Sequence, residues 1–494
     1  MIGKFDVLII GNGILGTSTA YALALQDPTL RIAVVGPYPR LGGATVAAGA
    51  MLSCFAELDK FSFSSKYSLN KFTMARQSAK QWPSWLNQIN ATLALKDQVT
   101  INPGTFVLLN TKAGRREDEN FSAISETLKY YKEPHEAVDP AKIPGIYPLD
   151  DARPLRALYL PNEGALNPYQ LLAALEKASV QNGVVFLDAS VNKILLDKER
   201  AVGIETELGE ILHASSILLA AGAFSQTLLE QIPFLENRIP KVMAGWGCSL
   251  ILKPDSHQIK NVIRSPNRSG SCGIHMLPYG ENSNLLYMGA SNNVRFSPKM
   301  HPKGRDVYYL LERAIEQFHQ DLHKAEIIQW QIGNRPVSFD TFPLIGSTSV
   351  NGLWLLTGTY RDGIQDSPLL ASSIAREILG GTPLFEHAFK PERFPISIMS
   401  QEQSIEEFSD QYVSVGYEQG MRLPKLSWVS IIKEKGYMRA KFLYDALEID
   451  IGLSPDVLFM LDQMPELIPS VKQHYQALQR NYSSHTLIPA IIEE

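Results

Sequence analysis

Three cysteines in 494 residues are too few for a disulfide framework. Cys54, Cys248 and Cys272 show neither pairing nor metal-ligand spacing, which fits a reducing compartment. A basic excess is also missing. The formal net charge is -5, so the chain has no surplus of cations to neutralise a nucleic-acid backbone. Long apolar runs are absent: Ala44 to Ala56, the longest weakly polar stretch, falls short of the roughly 20 residues a membrane-spanning helix needs. Val7 to Ile10 is too short for the core of a signal peptide. These absences predict a cytoplasmic protein with neither membrane nor nucleic acid as partner. With 45% hydrophobic and 20% charged residues, the composition is that of a globular protein large enough for two or three domains.

One more absence is local. Phe5 to Ile10 is a β-rich apolar run, Gly11-Asn12-Gly13-Ile14-Leu15-Gly16 follows at once, and Thr17 to Gln26 is helix-like. Arg31 to Val35 returns as a second strand, which completes a βαβ unit of about thirty residues. Gly11 permits the tight turn, Gly13 lets backbone approach a pyrophosphate, and Gly16 lets helix lie close on strand. The helix N-terminus, with Ile14 and Leu15, then offers free N–H groups to phosphates. Yet the acid that would accept the ribose hydroxyls is replaced by Gly36. Two readings stay open here. A large cofactor with other contacts tolerates the loss, or the space admits a 2′-phosphate with Arg40 as its partner.

Downstream segments bear on that choice. Gly43-Ala44-Thr45-Val46-Ala47-Ala48-Gly49-Ala50-Met51-Leu52 is dense in small residues, with Glu57 five positions on. Gly164-Ala165-Leu166-Asn167-Pro168-Tyr169 places Asn167 as an N-cap and Pro168 at the first helical position, with Leu171, Leu172, Leu175 and Ala178 on the buried face. Val184 to Leu187 is strand-like and leads to Val191. The pair Ala201 to Glu205 and Glu210 to His213 precedes a strand ending in Ala220-Ala221-Gly222-Ala223. Last come Asn334-Arg335-Pro336, Asp340-Thr341-Phe342-Pro343-Leu344-Ile345-Gly346 and Thr357-Gly358-Thr359-Tyr360-Arg361-Asp362-Gly363-Ile364, followed by a helix over 369–379.

In this order the segments resemble the D-amino-acid oxidase superfamily of FAD-dependent enzymes, especially its glycine oxidase-like branch, over about the first 390 residues. The resemblance implies an α/β fold. A Rossmann-like FAD-binding domain (1–90, 161–225 and 330–395) would carry an antiparallel-sheet substrate domain (91–160 and 226–329). It implies non-covalent FAD held by Gly11, Gly13, Ile14, Leu15, Gly16, Gly36, Arg40, Ala44, Thr45, Ala48, Gly49, Met51, Val191, Ala221, Gly222, Arg335, Gly358, Arg361, Gly363 and Ile364. It further implies oxidation of an amine or amino-acid C–N bond by hydride transfer to flavin N5, with oxygen as acceptor giving an imine and hydrogen peroxide.

For the substrate side the resemblance assigns Arg335 to the substrate carboxylate, and Arg361 to a second position near the site. His275, in His275-Met276-Leu277-Pro278, stands where the family has a tyrosine; it is able to gain a charge near neutral pH, and both a structural and a substrate role are open to it. Gln365-Asp366 replaces a mostly apolar pair, and an inward acid there would oppose negative charge on the flavin. These departures suggest a specialised substrate, free or carrier-bound. The rival readings are an NADP-linked dehydrogenase using Arg40, and an altered flavoprotein serving as a binding or assembly subunit. Beyond the matched region, 396–494 is expected to be a mainly helical extension. Ser454 and Pro455 start one helix, Val457, Leu458, Leu461 and Met464 form its stripe, and Trp428, Tyr437 and Phe442 serve as core material. The extension would pack on the enzyme, form a homo-oligomer contact, or dock a protein-bound substrate.

Overall fold

The computed structural model describes residues 4–269, 271–280, 284–421, 423–425 and 427–482. Strands Lys4–Ile10 and Ile32–Val35 alternate their side chains with period 2, and both faces are buried. Val7, Ile9 and Val34 point into one apolar cluster, Leu8, Ile10, Ala33 and Val35 into another. The strands lie in an eight-stranded sheet of order 344–347, 353–357, 211–219, 4–10, 32–35, 185–187. Its central pairings are parallel, and Leu344–Ser347 runs antiparallel at one edge.

Helices Ile14–Gln26, Pro168–Gln181 and Ser367–Ile378 cover one face of this sheet. The antiparallel pair Val191–Asp197 and Arg200–Thr206, with residues 228–239, covers the other. Asn167 caps its helix as expected, accepting from the amides of Tyr169 and Gln170 at 2.9 and 3.2 Å.

A second, ten-stranded, largely antiparallel sheet carries Asn102–Asn110, Pro154–Ala165, Val242–Lys253, Ser271–Pro278, Leu286–Ser291 and Glu326–Ser338. The strand that bears Arg335 therefore belongs to this sheet as far as Ser338. Between 396 and 482 the described residues form helices Gln401–Glu418, Ser427–Leu447, Pro455–Gln463 and Ile468–Tyr482. They share one apolar cluster with Met243, Val294, Val337 and Phe339, so the extension packs on the second sheet. Val457, Leu458 and Leu461 are buried as the stripe requires.

Of the expected aromatic core of the extension, Tyr437 packs against the cluster, and the other two residues are corrected. Trp428 and Phe442 are exposed, at 48% and 66%, because the buried face of their helix is Gly436, Ala440, Leu443, Tyr444 and Leu447. Phe408 and Tyr475 supply the aromatic filling. Among the described residues no helix is long and apolar enough to cross a membrane, and no cluster has the make-up of a metal site.

Candidate active site

A cavity of about 710 Å³ runs from the glycine turn, past the small-residue run, to Arg335 and Arg361. At its first end Gly11 has φ +115°, and a Cβ there would sit 2.4 Å from the carbonyl oxygen of Ala220. Only glycine fits between the two strands. Gly13 caps helix Ile14–Gln26 in extended conformation and brings no capping side chain of its own. The Ile14 amide donates to Thr45 Oγ1 at 3.1 Å, which ties the turn to the small-residue run. The result is an open backbone cradle that suits the phosphates of a dinucleotide.

The missing ribose acid has a local cause. A Cβ on Gly36 would lie 2.6 Å from Asn12 Cγ, because the Asn12 side chain turns over the strand end and donates to Pro37 O at 3.0 Å. Asn12 occupies the space from which a side chain at 36 would start. For the 2′-phosphate alternative the engagement of Arg40 matters. Arg40 faces the cavity, but its Nε donates to Asn12 O at 2.8 Å, its Nη2 donates to Tyr38 Oη at 3.2 Å, and it pairs with Glu176.

The remaining expected cofactor residues fall on the cavity wall with two exceptions. Gly36, Ala44, Thr45, Ala48, Gly49, Met51, Val191, Ala221, Gly222, Gly363 and Ile364 all line it. Gly16 and Gly358 do not; they shape turns behind it. A Cβ on Gly16 would lie 1.9 Å from Gly11 O, and Gly358 has φ +71°. The small-residue run is pinned where Tyr287 Oη donates to Ala47 O at 2.9 Å. A Cβ at Gly49 already meets Tyr287 at 3.1 Å, so larger residues here would narrow the cavity.

At the other end the cavity is built from side chains. Arg335 donates only to neutral acceptors, Gly245 O, Ser291 O and Asn292 Oδ1, at 3.3–3.4 Å. Among the described residues no carboxylate is in ion-pair distance of it, so its planar fork faces the cavity uncompensated. His275 is 3% exposed and stacks on Tyr287, ring centroids 5.6 Å apart. Burial, with the charges of Arg264, Arg335 and Arg361 around it, pushes its pKa well below the usual histidine range. The expectation that this imidazole gains a charge near neutral pH is therefore corrected: it stays neutral.

Arg361 donates to Asn267 Oδ1 at 3.3 Å and lies over the Tyr360 ring at 5.1 Å. Of the unusual pair, Gln365 lies on the cavity wall while Asp366 lies behind it, fully buried. Burial, and Asp362 beside it, raise the Asp366 carboxyl well above the usual range, so it brings no negative charge to the cavity.

Several residues at the site escaped the sequence reading. Asn12 lies behind the wall at Gly36 and Tyr287 on the wall, and nothing in the local sequence signals where either side chain turns. Ser53 and Tyr360 line the cavity beside Arg361. Arg264 is brought opposite His275 by strand register.

The model of the FAD dependent oxidoreductase (DAO) family matches residues 6–377. The chain belongs to this family. As an FAD-dependent oxidoreductase it has FAD as its cofactor. The open cradle at Gly13 fits the pyrophosphate, and the flat wall of small residues fits a ring system. The glycine oxidase of Geobacillus kaustophilus is 25% identical over 382 residues, 76% of this chain and 93% of the relative. Its crystal structure superposes with TM-score 0.67 at 21% identity, covering 79% of this chain and 99% of that one. The iminodiacetate oxidase of Chelativorans sp. superposes with TM-score 0.65 at 20% identity, covering 78% and 99%. The Bifunctional protein ThiO/ThiG of Trichormus variabilis is 26% identical over 393 residues, 77% of this chain. The chain matches about half the length of that relative, 54%.

Proposed function

We propose that this FAD-dependent oxidoreductase oxidises the C–N bond of an amine or amino acid whose carboxylate is held by Arg335, with oxygen as the final acceptor. The carrying observation is the uncompensated guanidinium of Arg335 on the wall of an otherwise mostly apolar dinucleotide cavity. A guanidinium binds a carboxylate with two parallel, charge-assisted hydrogen bonds, which fixes both the position and the tilt of the substrate. Bound FAD supplies the two-electron acceptor, so the protein's own task is orientation.

His275 and Tyr287 form the stacked wall next to that anchor. A neutral His275 adds no third cation beside Arg335 and Arg361, so the pocket holds a carboxylate without repelling the amine more than those arginines do. Non-covalent FAD agrees with the state of one thiol on the wall: burial pushes Cys248 up to about 12, which leaves it protonated and a poor nucleophile. The NADP reading is disfavoured by the Arg40–Glu176 pair.

The test is anaerobic addition of a panel of amines and amino acids to the yellow, FAD-loaded protein. Bleaching of the flavin absorbance by at least one of them supports the reading. A folded, flavin-loaded protein bleached by none would defeat it. Acid precipitation is expected to release all flavin into the supernatant; flavin that stays with the pellet would contradict non-covalent binding.

A further inference from the structure

Helix Ser427–Leu447 of the extension has two apolar faces, and among the described residues only one of them is covered. The face centred on Ala440 and Leu443 is buried in the extension's core. On the opposite side stand Trp428, Ile431, Met438 and Phe442, exposed at 48, 59, 60 and 66%. Lys435 and Asp445, also exposed, complete the series 428, 431, 435, 438, 442, 445. Steps of 3, 4, 3, 4 and 3 are those of a two-helix seam, in which positions a and d of each heptad meet a partner helix. At about 1.5 Å per residue the helix is about 31 Å long, and the seam runs nearly all of it. A surface helix ordinarily carries one apolar stripe, and a second one in line exceeds scattered exposure.

The charges on this outer side bear on the occupant. Lys433 and Arg439 are paired within the chain, with Asp410 and Asp462. Among the described residues Glu434, Lys435, Lys441 and Asp445 take part in no ion pair, so two acids and two bases are left over on one face. That face is complementary to itself. A second copy laid antiparallel, with the two-fold axis between residues 436 and 437, sets Ile431 against Phe442 of the second copy and Lys435 against Met438. Trp428 then meets Asp445, an indole N–H opposite a carboxylate. Beside the seam, Glu434 lies within about 3 Å along the axis of Lys441 of the second copy, twice by symmetry. A parallel pair would instead place Lys435 on Lys435 and Asp445 on Asp445, like charge on like. A single Lys within an apolar seam also fixes its register.

We propose that two copies of this chain pair through this face, with helix Ser427–Leu447 antiparallel to its counterpart.

The test is sedimentation of the FAD-loaded full chain at concentrations from about 1 to about 100 µM. The wild type is expected to reach an even number of copies. The Ile431→Glu/Phe442→Glu variant is expected to sediment at half the wild-type mass with unchanged flavin content, since both side chains are exposed. Four carboxylates in one seam should raise the dissociation constant at least about a hundredfold. Cysteines then fix the direction. Ile431→Cys/Phe442→Cys is expected to form disulfide-linked dimers on mild oxidation. Ile431→Cys alone is not, because the two 431 positions lie about 17 Å apart along an antiparallel seam. The native cysteines are buried and do not compete. A wild type that stays a single copy at every concentration would overturn the pairing, as would an assembly left intact by the glutamates. Dimers linked through Ile431→Cys alone would overturn the antiparallel arrangement. Should the glutamate variant fail to fold, the cysteine pair decides: no linked dimer would overturn the proposal.

Discussion

The two ends of the main cavity are built from different material. At the glycine turn the wall is backbone: Gly11, Gly13, Gly36 and the run from Gly43 to Gly49 leave main chain in reach of a ligand. At the other end it is side chain, with Arg335, Arg361, His275, Tyr287 and Tyr360 contributed by separate strands and loops. A backbone wall depends on where a side chain is forbidden. A side-chain wall depends on which residues the fold brings together and what each is paired with. The first end suits a dinucleotide in a way open to many enzymes, and under the proposed function the second end is the one that selects the substrate.

The contrast is broken most severely at Gly11. Gly11→Ala forces a Cβ to 2.4 Å from a strand carbonyl at φ +115°, so the flavin-to-protein ratio is expected to fall by about tenfold or more. Normal flavin content in that variant would show that the backbone cradle is not what holds the cofactor. At the other end, Arg335→Ala is expected to raise the half-saturating substrate concentration about a hundredfold, worth about 3 kcal/mol, with flavin content preserved. Arg335→Lys should recover part of the loss, since it restores charge without the fork.

A third expectation concerns pH. Glu163 is buried and accepts from the amides of Phe55 and Ala56; burial raises its carboxyl from 4.5 to about 7. Between those values the folded chain holds a proton that the unfolded chain has released. Stability is therefore expected to fall as pH rises from about 4.5 to about 7 and to level off above, by up to about 3 kcal/mol. Denaturant midpoints of wild type and Glu163→Gln, measured across that window, check the sign: the variant should show a flatter profile.

A smaller effect is expected from Tyr360→Phe, which leaves Asp456 without its donor and should cost about 1–3 kcal/mol of stability, read as a lower Tm. The smallest sharpens the first end. Gly36→Asp alone should weaken flavin retention, because Asn12 fills the space. Combined with Asn12→Gly it should strengthen retention by up to about tenfold, read by flavin release on dilution.

The same contrast explains what could be read before the structure. Gly11, Gly13, the two flanking strands and the Asn167-Pro168 helix start were legible because each is a local requirement, met within a few residues of chain. Arg335 was singled out through the family resemblance of its Arg335-Pro336 segment, and the structure places it on the cavity wall. The neutrality of His275 was not, because it arises from Arg264, Arg335 and Arg361, which strands and loops bring together from separate segments of the chain. Nor was the engagement of Arg40, which depends on Glu176 some 136 residues away. In the extension, aromatic content pointed to Trp428 and Phe442, whereas the spacing of Ala440, Leu443, Tyr444 and Leu447 carries the buried face. A second, smaller cavity of about 280 Å³ had no sequence signal, since its walls come from 53–75, 116–120, 267–269, 339–342, 360–362 and 395–456.

The most direct test of the central claim is anaerobic reduction of the FAD-loaded wild type and its Arg335→Ala variant by the same panel of amines and amino acids. The account expects flavin bleaching of the wild type by a carboxylate-bearing amine, and a requirement for about a hundredfold more of that compound in the variant. Bleaching with equal efficiency in both, or in neither, would contradict it.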